Sequence, residues 1–517
     1  MDRMAQQAED PRVSAIFRAL AAGDHERAIA LAERHWSFLS SFRGEVRRAV
    51  ADEVLRAHPS WAVVRQGLRH AALGRLRPTV WVAPDLPLPP GSSANERIVA
   101  LTARAMAARS RGRLDEALGL TAQARQLLRA ATPRDLEGGR FNLAEVHQEW
   151  AQISAFAGHA DDAVVLFERA FSLATELRHP RAAMDAAAEL AWLAAVSGRR
   201  GASLGWLLRL EQLRADQPDV RGTRESDRIA RALLLLDELD LAGARSELAA
   251  IEDAREHELL RRALGALVDA HDPLCDPDTA LAHLNGEIEA VYDGWTSARL
   301  NAVVLGAARS RLLQRSGQPE RALRALPDAQ PSQELSFEAG RAASLLHLLG
   351  EHERASSLTS RILAAPTLSP RVRADALVAR AAIELRRGDD GRAAETFSRA
   401  LRVIDEHRLL VALTIVPADE LRALGAVLPA ADPGARLARH VVDTSVAFPS
   451  AGLDHRLTAR ERTVLSLLAG GLTVVEAAAR LTVSANTVKT QVRSLYRKLG
   501  VHDRQGLSVV ARTRGLL

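Results

Sequence analysis

The sequence predicts an all-α protein, a long solenoid of helical hairpins followed by a small helix–turn–helix head. Three observations carry that prediction. Hydrophobic residues make up 47% of the 517 but aromatic residues only 4%, a balance that favours helices packed closely on alanine and leucine. A glycine followed five residues later by an alanine recurs along most of the chain. The last 63 residues hold the chain's basic excess and two written helix starts.

The repeated phrase occurs at Gly23 with Ala28, Gly112 with Ala117, Gly158 with Ala163, Gly317 with Ala322, Gly350 with Ala355 and Gly388 with Ala393. Looser copies stand at Gly198 with Ala202 and Ser203, at Asp240 with Ala244, and at Asp276 with Ala280. From Gly112 onward the units are 46, 40, 42, 36, 41, 33 and 38 residues apart, the spacing of a helical-hairpin repeat. Glycine lets the chain turn sharply between two helices, and the small alanine lets the second helix pack against the first. Two copies extend further, to Phe167 and Ala170 and to Phe397 and Ala400. This pattern resembles the second helix of tetratricopeptide repeats over roughly residues 10 to 410, with units longer than the usual ~34 residues. The resemblance implies a concave surface that binds a peptide, a partner protein or a small effector.

Two stretches interrupt the rhythm. Residues 78–93, PTVWVAPDLPLPPGSS, exclude a helix and read as an exposed loop or joint. Residues 443–454, DTSVAFPSAGLD, read as a linker. The expected division is therefore a repeat array over 1–442, the linker, and a head over 455–517.

Composition removes several classes of function. The single cysteine, Cys275, excludes an internal disulfide framework and a CxxC metal or redox motif. The only lysines are Lys489 and Lys498, which excludes a GxxxxGK[ST] phosphate loop and a Schiff-base lysine in the first 488 residues. No HExxH or finger spacing occurs among the sixteen histidines, so neither a metal nor a cofactor is expected. His25, His257 and His352, each followed by glutamate near a repeat turn, are expected to solvate helix ends, and Asp161-Asp162 and Asp389-Asp390 to favour helix amino termini. The tryptophans, including Trp150, Trp192, Trp206 and Trp295, are expected to fill the solenoid core. Gly201-Ala202-Ser203-Leu204-Gly205 matches a nucleophile-elbow string, but the residues before it are helical in pattern where that motif requires a strand. The chain is expected not to be an enzyme. Its amino terminus has no apolar signal region and no window spans a bilayer. With arginine replacing lysine almost throughout, the expected setting is a bacterial cytoplasm, on the nucleoid.

Charge sets the head apart. From His455 to Leu517 there are eleven Lys or Arg and three Asp or Glu, leaving 58 basic and 61 acidic side chains elsewhere. One end is suited to a polyanion and the rest is not. Thr458 precedes Glu461 by three residues and Thr473 precedes Glu476 by three, so each pair can close a capping box. Ser484 can cap a third helix running through Val488, Val492, Leu495 and Leu499, with Gly500 as its stop. The outer face of that helix carries Asn486, Lys489, Thr490, Arg493, Arg497 and Lys498, donors suited to phosphates and purine edges.

LTARERTVL, the GLT before the second helix, VSANTVKT and LYRKLGV resemble the LuxR-type helix–turn–helix of bacterial transcription regulators over about 60 residues. The resemblance implies that the third helix enters the major groove of double-stranded DNA and that a fourth, at about 503–512, makes a homodimer contact. By position, Lys489, Thr490 and Arg493 would reach base edges, while Ser484, Thr487 and Arg497 would touch phosphates. Two positions depart from the family: Val475 where a lysine is common and Gln491 where a histidine is common. The whole chain resembles the carboxy-terminal half of large ATP-binding LuxR-family regulators, without their ATPase. The expected function is a sequence-specific DNA-binding transcription regulator whose array senses an effector or partner. The alternative is an interaction scaffold whose terminal module does not read DNA specifically.

Overall fold

The computed structural model describes residues 11–34, 93–132, 142–218, 225–251, 257–289, 298–327, 337–429, 459–481 and 483–499, with isolated positions 46, 49, 50, 54, 135 and 136. Every regular element among them is helical. The proposed linker at 443–454, the loop at 78–92, Trp295, Thr458, Gly500 and the expected fourth helix at 503–512 lie outside the described residues.

An amino-terminal pair, α1 (Pro11–Ala21) and α2 (His25–Arg34), packs around Ile16, Ile29 and Ala32. Hairpins follow: α3 (Ala94–Ser110) with α4 (Leu114–Ala130), α5 (Leu143–Phe156) with α6 (Ala160–Glu176), and α7 (Pro180–Val196) with α8 (Arg200–Asp216). They continue as α9 (Glu225–Asp237) with α10 (Leu241–Ala249), α11 (Glu258–His271) with α12 (Pro277–Glu289), and α13 (Arg299–Arg315) with α14 (Pro319–Ala325). The next pairs are α15 (Phe337–Leu348) with α16 (His352–Leu363) and α17 (Pro370–Arg386) with α18 (Asp390–His407). A 3₁₀ segment, η1 (Leu410–Ile415), and α19 (Ala418–Val427) come after them, and α20 (Ala459–Ala469), α21 (Val474–Arg480) and α22 (Ala485–Leu499) form the head.

The glycine–alanine phrase has a specific geometry. Gly112, Gly158, Gly198, Gly317, Gly350 and Gly388 all have positive φ, between 69° and 86°, the left-handed conformation that glycine enters without steric cost. In each case the following residue donates its amide to the carbonyl five positions earlier, as from Arg113 to Ala108 and from His159 to Ser154. This is the Schellman closure of the first helix. At the loose copy before Asp240, Leu239 takes the left-handed position itself (φ 62°) and the Asp240 side chain caps α10. The alanine five residues on is then buried against the first helix: Ala117, Ala163, Ala244, Ala322, Ala355 and Ala393 are all 0% exposed. At Gly198 that position is Ser203, equally buried, and its hydroxyl donates to the Ala191 carbonyl of α7 at 2.8 Å. The nucleophile-like string is thus the start of α8, just after the turn at Gly198, and its serine joins two helices.

First helices line the interior. α7, PRAAMDAAAELAWLAAV, is buried nearly all round and packs on α5, α8, α9 and α6, as a helix apolar on every face must. Second helices such as α6 and α18 bury one stripe, including Phe167 and Phe397, whose full burial contributes roughly 1.5–3 kcal/mol each relative to exposure. Trp150 and Trp192 are fully buried, their indole N–H groups donating to Thr102 and Glu189, whereas Trp206 is half-buried under Arg209 and against Phe171.

His257 departs from expectation. It is 2% exposed, with Nδ1 3.0 Å from Glu225 and Nε2 3.6 Å from Glu189, and it packs edge-on to Trp192. Burial lowers its basicity, but the two carboxylates outweigh that and hold its pKa well above 6.5. His352 packs against His347 with the two rings tilted by 52°, and His347 in turn faces Glu420 at 3.1 Å. Asp389 caps α18 as expected, while Asp162 is drawn to Arg125 of the preceding hairpin and to Ser154.

The array also meets itself. The start of α17 packs against α7 and α9 across more than 130 residues of sequence. The Arg371 guanidinium forms a two-point pair with Asp237, at 2.5 and 2.7 Å, and donates to the carbonyls of Ala195 and Val196. Its amide donates to Ser197, and a side chain at Gly198 would meet the Arg371 backbone at 3.0 Å. Ser344 of α15 bonds the Ile415 carbonyl of η1, and His271 of α11 faces Thr414. Hairpins far apart in sequence thereby surround a common centre.

Candidate nucleic-acid interface

The head is built on eight buried residues: Val464, Leu465 and Leu468 of α20, Ala477 and Ala478 of α21, and Val488, Val492 and Leu495 of α22. The two alanines let α22 cross close to α21, and the 4- and 3-residue spacing of Val488, Val492 and Leu495 puts one stripe of α22 inward. Gly471, at φ 102°, turns the chain between α20 and α21. Thr473 then closes its capping box in full: its hydroxyl accepts the Glu476 amide at 3.3 Å, and its own amide donates to the Glu476 carboxylate at 2.7 Å. Thr458, the partner expected for Glu461, is outside the described residues; Glu461 itself is buried.

Ser484 caps α22 by accepting the Thr487 amide at 3.1 Å. The opposite stripe of α22 carries Asn486, Lys489, Thr490 and Arg493, all exposed, with Thr487 beside them. This spacing brings together five of the eight residues singled out in the sequence, with Ser484 at their amino-terminal end. Arg497 and Lys498 belong to the last turn of α22, and their side chains lie outside the described residues.

Two hydroxyl assignments gain detail that residue type alone did not supply. The Ser484 and Thr487 hydroxyls lie 2.8 Å apart, so one donates to the other and a single hydroxyl proton is left for an external oxygen. Thr490 donates its proton to the Asn486 carbonyl at 3.0 Å, which leaves it an acceptor and a methyl group on the outer surface. Lys489 and Arg493 supply the flexible cations of the stripe. Of the two departures, Val475 is 68% exposed at the start of α21, and Gln491 is half-buried.

In chemical terms, the surface offers cationic and amide donors along one helix face that is held by packing from behind. Among the described residues no cluster of His, Cys, Asp and Glu could hold a metal ion, and no helix is long and apolar enough to cross a membrane.

Residues 455–511 match the family of bacterial regulatory proteins of the luxR type. The chain is 54% identical over 48 residues to the probable transcriptional regulatory protein SgaR of Hyphomicrobium methylovorum, covering 9% of this chain and 23% of that protein. It is 48% identical over 61 residues to the probable transcriptional regulatory protein NarL of Mycobacterium tuberculosis, covering 12% and 28%. It is 47% identical over 62 residues to the HTH-type transcriptional activator RamA of Corynebacterium glutamicum, covering 12% and 22%. The chain spans about a quarter of the length of these curated relatives. Its carboxy-terminal segment is a LuxR-family helix–turn–helix domain, joined here to a large helical array.

Proposed function

We propose that this protein is a DNA-binding transcription regulator of bacteria, with a tetratricopeptide-like array over 1–442, a linker over 443–454 and a DNA-reading head over 455–517. The observation that carries the reading is the exposed Asn486–Lys489–Thr490–Arg493 stripe on a helix buttressed from behind, within a segment matching luxR-type regulatory proteins. In this reading α22 lies in the major groove, with Lys489, Thr490 and Arg493 at base edges and Ser484, Thr487 and Arg497 on phosphates. A homodimer formed through the segment at 503–512 engages two half-sites, and the array binds the effector or partner that sets the output.

The test is selection of sites from random duplex DNA by the full chain, followed by affinity measurements over a salt series. About four to eight phosphate contacts per dimer give a slope of log affinity on log salt of roughly −4 to −7. The expected result is an enriched inverted-repeat site bound far more tightly than random DNA. Equal binding of selected and random DNA at every salt concentration overturns the reading in favour of a scaffold.

A further inference from the structure

The centre where the hairpins meet is not filled by side chains alone. It encloses a cavity of ≈ 40 Å³, larger than the ~10–15 Å³ that one water requires. Its walls come from α7, α9, α11, α13, α15, α17 and η1, so no single hairpin owns it. One part is aliphatic, including Leu260, Leu264, Val304, Ala307 and Val411. The rest is charged: Asp237, Arg341, Arg371 and Asp375, with His271 beside them and Arg311 packed behind.

These charges do not balance. Asp237 is taken up by Arg371 in the two-point pair described above. That leaves Asp375 as the second carboxylate among three arginines, Arg341, Arg371 and Arg311. Burial pushes the Asp375 carboxyl up to about 6 despite the pull of the neighbouring arginines, and burial with the same arginines keeps His271 neutral at ordinary pH. Arg341 makes no ion pair with Asp375. Its Nε and Nη1 are buried and have no hydrogen-bond partner among the described residues. A guanidinium has five N–H donors and cannot shed its charge, and leaving such donors unmet in a low-dielectric site is costly. The need is an anion that accepts hydrogen bonds in a plane and tolerates an apolar wall.

We propose that this cavity binds a small monocarboxylate, of formate to propionate size, with its carboxylate on Arg341 and its carbon end against the aliphatic wall. The small volume suits a short acid, and the planar fork of a guanidinium suits a carboxylate. A ligand held there lies among helices from well-separated hairpins, and so favours the closed centre over any looser arrangement. The inference names a ligand class for the sensing role proposed above and rests on that role only for its consequence at DNA; binding itself does not.

The experiment is isothermal titration of the full chain, without DNA and at constant ionic strength, with sodium acetate and propionate, using acetamide and propionamide as neutral controls. The expected result is saturable binding of the acids and none of the amides. Arg341→Gln is expected to weaken acid binding about 10- to 100-fold. Equal heats from acids and amides, or no saturation, mean a cavity holding water only and overturn the proposal. So does unchanged acid affinity in folded Arg341→Gln. The wild-type acid-against-amide arm decides the matter even if that variant fails to fold. Because no DNA is present, failure here leaves the DNA reading standing, and failure of DNA binding leaves this one standing.

Discussion

The centre of the array and the face of the head both depend on arginine, and they use it in opposite ways. In the array, Arg371 is buried, paired with Asp237 and bonded to two carbonyls of α7. It ties together helices that the chain brings near each other only late. On the head, Arg493 stands exposed on a stripe with Asn486, Lys489 and Thr490, and its helix is held by Val488, Val492 and Leu495 on the other side. Arg371, matched on every side by its own protein, is architecture. An exposed arginine on a rigid helix leaves its donors available to a partner.

Substitutions that separate these roles should differ in what they change. The largest effect is expected from Arg371→Met, which strands the buried Asp237 carboxylate and removes the link between α17 and α7. About 3–5 kcal/mol of array stability should be lost, read as a lower midpoint in urea denaturation. A stability within 1 kcal/mol of wild type would mean that the centre is not closed in solution. Gly340→Ala attacks the same region through packing: a Cβ there would sit 2.4 Å from the Asp375 Cβ, and the helices must part. A loss of about 1–3 kcal/mol is expected in the same measurement.

On the head, Arg493→Ala should leave the denaturation midpoint unchanged and cost ~1 to 3 kcal/mol in DNA affinity, with relaxed preference at one base pair. Unchanged affinity and preference would remove the groove assignment. Thr473→Ala removes the cap of α21 and should destabilise the head by about 1 kcal/mol, visible as earlier hydrogen exchange of the Glu476 amide. The smallest change is one of pH. His257 is held protonated between Glu189 and Glu225, so its contribution to stability is complete below pH 6.5 and is lost as pH rises towards its raised folded value. His257→Gln should flatten the stability profile above pH 6.5; an unaltered slope would mean that His257 is neutral in the fold.

How much could be read beforehand depended on the distance over which each feature is written. The Schellman turns need only a glycine and the five residues before it, so Gly112, Gly158 and Gly388 announced them. The Thr473–Glu476 box spans three residues and the stripe of α22 seven, and both were legible. Ser203 was readable as a non-nucleophile because its flanks are helical, yet its bond to Ala191 depends on where α8 lies against α7. His257, which its place near a turn suggests is a solvating residue, is instead buried. The two glutamates that bury and charge it come from other hairpins, 32 and 68 residues away.

By itself, then, the sequence determined the local grammar: helices closed by left-handed glycines, alanines small enough for close packing, and a capped, basic helix at the end of the chain. Each of these follows from backbone sterics and from donors and acceptors within a few residues. Only the tertiary structure decided that Arg371 meets Asp237, that Gly340 must be glycine, and that Arg341 lines a cavity with two nitrogens unmatched. Those outcomes depend on how many small rotations between hairpins add up over 175 residues, and no residue type or spacing in the chain encodes that sum.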